Sequence, residues 1–199
     1  MAYCGVYGGP DTNAGLAMHD CQFLNNVFYN TNPVIINGSA AAGILLGCGG
    51  GPQLNHMYNI LVANNTFADV DYGFQIGPYD TSQTVYTNIT AVNNIGVNNK
   101  AACIAGNLSG GTPIANMTNY CNKAIGEMIS PANFVAPTTT NAVKFVSYTP
   151  YATNNDFHYA TNDTGAIGNG MNWSAYFGGN KDGATNGRPA VGAWNIGAY

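Results

Sequence analysis

Charge is what this sequence has least of: Asp, Glu, Lys and Arg make up 7% of its 199 residues, with five cations against nine acids and a net charge of -4. So few cations cannot build the basic stripe that neutralises a run of phosphates, and a nucleic-acid partner is excluded. No apolar run approaches the ~20 residues that a membrane-crossing helix needs, so no membrane partner is expected. Helix signals are missing too, since no segment combines caps with a broad apolar stripe. Cysteine is sparse and odd in number, at five, with spacings that fit no zinc motif. Cys21 and Cys121 fall at core or ladder positions of the repeat described next, which favours buried thiols over disulfides.

What the chain has instead is glycine, at 26 residues, and asparagine, which is more frequent still. With 46% hydrophobic and 12% aromatic residues, disorder is excluded. The length suits one domain with a sizeable core. This composition matches secreted all-β chains, and an extracellular location is expected. Met1-Ala2-Tyr3 begins no signal peptide, and the natural polypeptide is expected to extend further upstream, because a first repeat starting at Tyr3 would leave strand edges open.

One stretch recurs. Asn59-Ile60-Leu61-Val62-Ala63-Asn64-Asn65-Thr66-Phe67 matches Cys21-Gln22-Phe23-Leu24-Asn25-Asn26-Val27-Phe28 before it and Ile89-Thr90-Ala91-Val92-Asn93-Asn94-Ile95-Gly96 after it. A degenerate copy follows at Met117-Thr118-Asn119-Tyr120-Cys121-Asn122. Steps of about 39, 29 and 28 residues lie in the range of stacked repeat units. Cys21, Ile60, Ile89 and Met117 align, then Phe23, Val62, Ala91 and Asn119, two residues on. That is the period of a strand. A second apolar run separates the copies, at Ala42–Cys48, Tyr72–Gly77 and Ala101–Gly106, so each unit carries at least two strands joined by Gly, Asn and Asp turns.

The paired asparagines have a physical role in such a stack. At the strand spacing of about 4.8 Å, an Asn side chain donates to one neighbouring copy while it accepts from the other. Asn26, Asn65, Asn94 and Asn122 are expected to form this ladder at a corner, where Asn also tolerates a left-handed backbone.

On these residues the chain resembles the right-handed parallel β-helix proteins, the pectate-lyase-like superfamily of secreted polysaccharide-active proteins. Its last third, through Asn155-Asp156-Phe157-His158-Tyr159, Gly165–Gly170, Asp182-Gly183, Arg188-Pro189 and Asn195–Tyr199, is similar to the tail of many bacterial secreted β-helix proteins. It departs from that tail at Gly168 and Asn195, where an acid is usual. The resemblance implies an all-β right-handed parallel β-helix, a solenoid, over residues 1–130. A loop-rich C-terminal capping segment over 131–199 would belong to the same domain. The fold hosts lyases, hydrolases, esterases, adhesins and binding modules, so activity has to be argued from the site.

Candidate chemistry is thin. His19 and Asp20 are adjacent, but neighbours on a strand point to opposite faces, and His19 reads as a packed or capping residue in one column with Tyr58 and Thr87. Asp69 and Asp71 lie on one side of a short extended segment and are the candidate ligands of a structural Ca²⁺; the plainer reading is a surface turn, since Ca²⁺ wants several oxygens. Asp182-Gly183 lacks the acids and closing Glu of a calcium loop. No cofactor is required.

If Ile60 and Val62 face inward, the intervening columns face out. They are Met18, Met57, Tyr86, Ile114; Asp20, Asn59, Asn88, Asn116; Gln22, Leu61, Thr90, Thr118; and Leu24, Ala63, Val92, Tyr120. Either the C-terminal segment covers this wall or it is an open platform. An open wall of amides, hydroxyls and aromatics suits a long, regular, uncharged ligand, with amides meeting sugar hydroxyls and flat rings meeting pyranose faces. Asp20, Gln22, Met57, Asn59, Tyr86, Asn88, Thr90, Asn116 and Tyr120 are the expected contacts. A lyase needs cations and a hydrolase needs acids on adjacent repeats, and neither set is visible. The expected function is therefore non-catalytic binding of a neutral plant cell-wall polysaccharide, of xylan or hemicellulose type. The chain would be a carbohydrate-binding module covalently linked to a catalytic domain. The alternatives are a polysaccharide lyase or glycoside hydrolase using Asp69, Asp71, Asp80 and Lys100, and a structural adhesin or fibre segment.

Overall fold

Alternating apolar residues draw the repeat stretches into strands, and the Gly, Asn and Asp runs between them turn the chain. The computed structural model describes residues 4–8, 17–31, 42–47, 55–76, 84–100, 102–106, 115–119, 124–125, 133–134, 143–172, 182, 186–189 and 191–199. β1 (Cys4–Gly8), β2 (Ala17–Leu24) and β3 (Val27–Tyr29) are followed by β4 (Ala42–Leu46), β5 (Asn55–Ala63) and β6 (Thr66–Ala68). Then come β7 (Tyr72–Ile76), β8 (Thr84–Val92) and β9 (Ile95–Val97). β10 (Ala102–Gly106), β11 (Ala115–Asn119), β12 (Ala124–Ile125) and β13 (Asn133–Phe134) continue the series before β14 (Phe145–Ser147) and β15 (Asp156–Tyr159).

The chain visits three sheets in rotation. One has the order β1-β4-β7-β10-β12, the second β2-β5-β8-β11-β13 and the third β3-β6-β9. Pairing in all three is parallel, whereas β14 and β15 form a separate antiparallel pair. A parallel pair needs a crossover of a dozen or more residues; up to β10 the strands of the other two sheets supply it, and beyond β10 the described strands alternate between the first two sheets. The protein is all-β with parallel sheets, and no helix occurs among the described residues; none is therefore long and apolar enough to cross a membrane.

Cys21 pairs with Ile60 and Ile60 with Ile89; Phe23, Val62 and Ala91 follow in step. The fourth copy corrects the alignment made from sequence. Met117 lies opposite Val92, not Ile89, and Asn116 opposite Ala91. An amide-rich copy with few apolar residues specifies its register weakly, and a slip by an odd number of residues exchanges the two faces.

The core lies between the sheets, with Ile44, Leu46, Ile60, Val62, Phe67, Phe74, Ile76, Ile89, Ala91 and Ile104 all buried. Phe28 stacks on Phe67 with ring centres 5.5 Å apart. Phe67 is so close to Gly43 and Gly73 that a Cβ on either would come within 2.8 Å of its ring. One repeat later the sizes are exchanged: Gly96 takes the Phe67 position and its missing Cβ leaves room for Cys103. Cys103 is disulfide-bonded, while Cys21 is a free thiol.

The corner ladder forms. Asn26 Nδ2 donates to Asn65 Oδ1 at 3.0 Å, and Asn65 Nδ2 donates to Asn94 Oδ1 at 2.9 Å. The preceding residues Asn25, Asn64 and Asn93 hold φ of 56°, 53° and 53°, the left-handed turn that Asn accepts at low cost. Asn122, the expected fourth member, lies outside the described residues.

The C-terminal segment is fastened to this corner. Arg188 donates to Asn25 Oδ1 at 3.1 Å and to the carbonyls of Asn195 and Gly197, and it lies over the Trp194 ring. Ala198 N–H reaches Thr66 Oγ1, and Gly197 N–H reaches the Asn93 carbonyl. Gly168 and Asn195, the two departures from the tail pattern, bond each other: Gly168 N–H donates to Asn195 Oδ1 at 3.1 Å.

Candidate functional site

Asp20, Asn59 and Asn88 occupy the middle of long strands, yet each has a positive φ, of 55°, 55° and 51°. A left-handed residue interrupts the alternation of faces, so the strands bend there and the residues before the bend change sides. Met57 is the consequence. It was expected on the outer wall, and it is fully buried in the core. His19 and Tyr58, expected inside, stand outside instead; His19 is exposed, and its ring stacks on Tyr58 with centres 4.8 Å apart and planes within 5°.

The bend also brings together what alternation would have kept apart. His19 Nδ1 lies 2.7 Å from Asp20 Oδ2, so the expectation that this pair does not meet is corrected. Asp20 Oδ1 accepts from Asn59 Nδ2 at 2.9 Å, and Asn59 Oδ1 accepts from Asn88 Nδ2 at 2.8 Å. The hydrogen bonds from Asn59 and then His19 hold the Asp20 carboxyl below its ordinary range, because they stabilise its charged form. Asp20, Asn59 and Asn88 thus form a second, exposed ladder, at strand spacing, across three repeats.

Gln22, Leu61 and Thr90 form the next outward column, in register; Gln22 is exposed and the other two are half-buried. One column further on the wall is covered. Trp194 packs on Ala63 and Val92, with Leu24 and Leu61 beside them. The two accounts of the wall divide it between them: the tail lies over Leu24, Ala63 and Val92, and the amide row remains open.

Other expected contacts fall elsewhere. Asn116 pairs with Ala91 in the inward register, so it does not extend the row beyond Asn88; this corrects its placement. Tyr86 lies in β8, opposite Met57, but its side chain is outside the described residues, as are Tyr120 and Asp80.

Asp69 belongs to a different arrangement. It is buried, with φ 59°, and its oxygens accept from Asn98 Nδ2 at 2.7 Å, Tyr148 OH at 2.7 Å and Tyr151 N at 3.0 Å. Burial, together with this bond, pushes the Tyr148 phenol up. Three donors on one carboxylate satisfy most of its lone pairs and tie it to Asn98, Tyr148 and Tyr151. Asp69 thus anchors the C-terminal segment, and Asp71 is buried nearby. Among the described residues no group of three or more His, Cys, Asp or Glu side chains is placed to hold a metal. Lys100 is exposed just beyond.

No family model, no curated protein and no solved structure matches this chain.

Proposed function

We propose that the chain is a right-handed parallel β-helix, capped by its C-terminal segment. Its open amide row would bind a neutral plant cell-wall polysaccharide of xylan or hemicellulose type without cutting the glycosidic backbone. The observation that carries this reading is the exposed Asp20–Asn59–Asn88 ladder, held in place by its own hydrogen bonds. Each amide has two donors and two acceptor lone pairs, so Asn59, after one bond given to Asp20 and one taken from Asn88, keeps capacity for a sugar hydroxyl.

Successive members of the ladder are about one strand spacing, ~4.8 Å, apart, close to the length of one sugar in an extended β-linked chain. Tyr58, with its ring against His19, gives the row an aromatic flank suited to a pyranose face. The scarcity of charge favours a neutral glycan over pectate or alginate. The disulfide at Cys103 supports an oxidising, extracellular setting, consistent with a module of a larger secreted glycan-degrading protein.

Affinity electrophoresis in gels containing xylan, glucan, mannan or pectin tests the reading. Retardation in xylan without new reducing ends, lost in Asn59→Ala, is the expected result. Reducing-end or unsaturated-product release would replace the reading with a hydrolase or lyase, and equal mobility in every gel would remove it.

A further inference from the structure

His19 and Asp20 are placed alike with their counterparts, yet they differ from them chemically. In the next two repeats the same positions hold Tyr58-Asn59 and Thr87-Asn88, in register or at the same corner, and the left-handed corner is built equally well there. The corner therefore has no structural need of an acid or an imidazole. In the first repeat both appear together and in contact, at 2.7 Å.

The contact orients the ring. Asp20 is fixed from its other oxygen by Asn59, which is fixed in turn by Asn88. With Nδ1–H held by the carboxylate and the ring face on Tyr58, the lone pair of a neutral imidazole is left on Nε2 of a side chain that is 46% exposed. The other His–Asp pair among the described residues, His158 with Asp156, is of a different kind: it is closed by a bond from the His158 backbone N–H to the same carboxylate oxygen, and Tyr199 packs on its ring.

We propose that His19, positioned by Asp20, is a general base that hydrolyses O-acyl esters, such as acetyl groups, on the polysaccharide bound along the amide row. This rests on the binding reading and adds a reaction to it. A water O–H gives its proton to Nε2 as the water oxygen attacks the ester carbonyl carbon. The bond from that carbon to the sugar oxygen then breaks, and the imidazolium returns the proton to the departing sugar oxygen. One water is consumed; a carboxylic acid and a free sugar hydroxyl are released, and no oxidant or metal is called for. The second N–H of Asn59, whose Nδ2 already bonds Asp20, and the exposed amide of Gln22 are the donors on this wall offered to the carbonyl oxygen as it gains charge.

The same inventory disfavours the other reactions of polysaccharides. Cutting a glycosidic bond takes a proton donor and a second carboxylate across the scissile bond, and Asp20, the row's only acid, is engaged by Asn59 and His19. Elimination from a uronate takes a cation on the carboxylate, and among the described residues the row carries none. Ester hydrolysis is the reaction that a single oriented base can serve.

The test is acetate release from acetylated xylan and, in parallel, from a small soluble acetylated xyloside that has no need of the row. Wild type is expected to release acetate faster on the polymer than on the xyloside. Among the described residues the His19 ring meets the Asp20 carboxylate and the Tyr58 ring, and the His19 carbonyl accepts from Cys21 Sγ. His19→Gln should lose about a hundredfold or more, the usual worth of a general base. Asp20→Asn, which reproduces the residue found at this corner in the next repeat, should lower kcat more than it raises KM and flatten the pH profile. Acetate release from neither substrate overturns the assignment, as does an Asp20→Asn rate and pH profile equal to wild type. Xylan retardation without acetate release would leave the binding reading standing and sink only this one.

Discussion

Asn65 bonds Asn94 side chain to side chain at 2.9 Å although they lie in different repeats, and both are fully buried. Asn65 also donates to the Phe23 carbonyl and accepts from both the backbone and the side chain of Asn26. A buried amide this fully used cannot be removed without stranding its partners. Asn65→Ala is expected to cost about 3 kcal/mol or more, whereas Asn26→Ala at the exposed end should cost about 1 kcal/mol. Urea unfolding of the two variants checks the ranking. Equal small losses would mean that the ladder is incidental.

The ladder was legible because like residues at a two-residue period leave few alternatives for a polar side chain. The bend at Asp20, Asn59 and Asn88 was not read, although its signal was there: the residue types that tolerate a left-handed backbone stood aligned in mid-strand. Treating those strands as uninterrupted put Met57 outside and His19 inside, the reverse of what is found. The slip that moved Asn116 had no such signal, because its copy has too few apolar residues to choose a register. The grip of the tail on Asn25, Thr66 and Asn93 joins residues too far apart in sequence for periodicity to show.

Gly43 is fixed by the ring of Phe67. A Cβ there would lie 2.5 Å from Phe67 Cδ1 and 2.9 Å from the Gly73 carbonyl oxygen. Gly43→Ala should destabilise by about 1–3 kcal/mol through overpacking. Adding Phe67→Leu should recover part of that loss, because one of the two clashes is with a side chain and the other with backbone. Thermal unfolding of the single and double variants measures the coupling.

Among the described residues, Arg188 holds the tail without a carboxylate among its hydrogen-bond acceptors. Burial pushes its pKa down, and its stability depends on the carbonyls of Asn195 and Gly197, on Asn25 and on the Trp194 ring. Arg188→Ala strands those acceptors and should cost about 3 kcal/mol. The local sign is faster hydrogen exchange at the amides of Gly197 and Ala198, which bond Asn93 and Thr66. Unchanged protection there would show that the tail is held by other means.

Acid should loosen the exposed ladder only at the low end of the carboxylate range, because Asp20 keeps its charge below the ordinary value. Asp20 is held below the ordinary aspartate value of 3.8 by Asn59 and His19. A carboxyl lowered on folding contributes stability that is present above the unfolded value and lost as pH falls through the folded one. The window lies below 3.8. Carbon NMR of the Asp20 carboxyl should give a midpoint under that value, and Asn59→Ala should move it upward. A midpoint indifferent to Asn59 would deny the hydrogen bond its role.

The proposed function needs a row of side chains, spaced like sugars, that meets an extended neutral glycan. Calorimetric titration with xylo-oligosaccharides of increasing length addresses this directly. Affinity should climb with each sugar up to about three, the number of ladder members at Asp20, Asn59 and Asn88, then level off, and Asn59→Ala should abolish the climb. Affinity independent of length, or no heat from any member of the series, would contradict it.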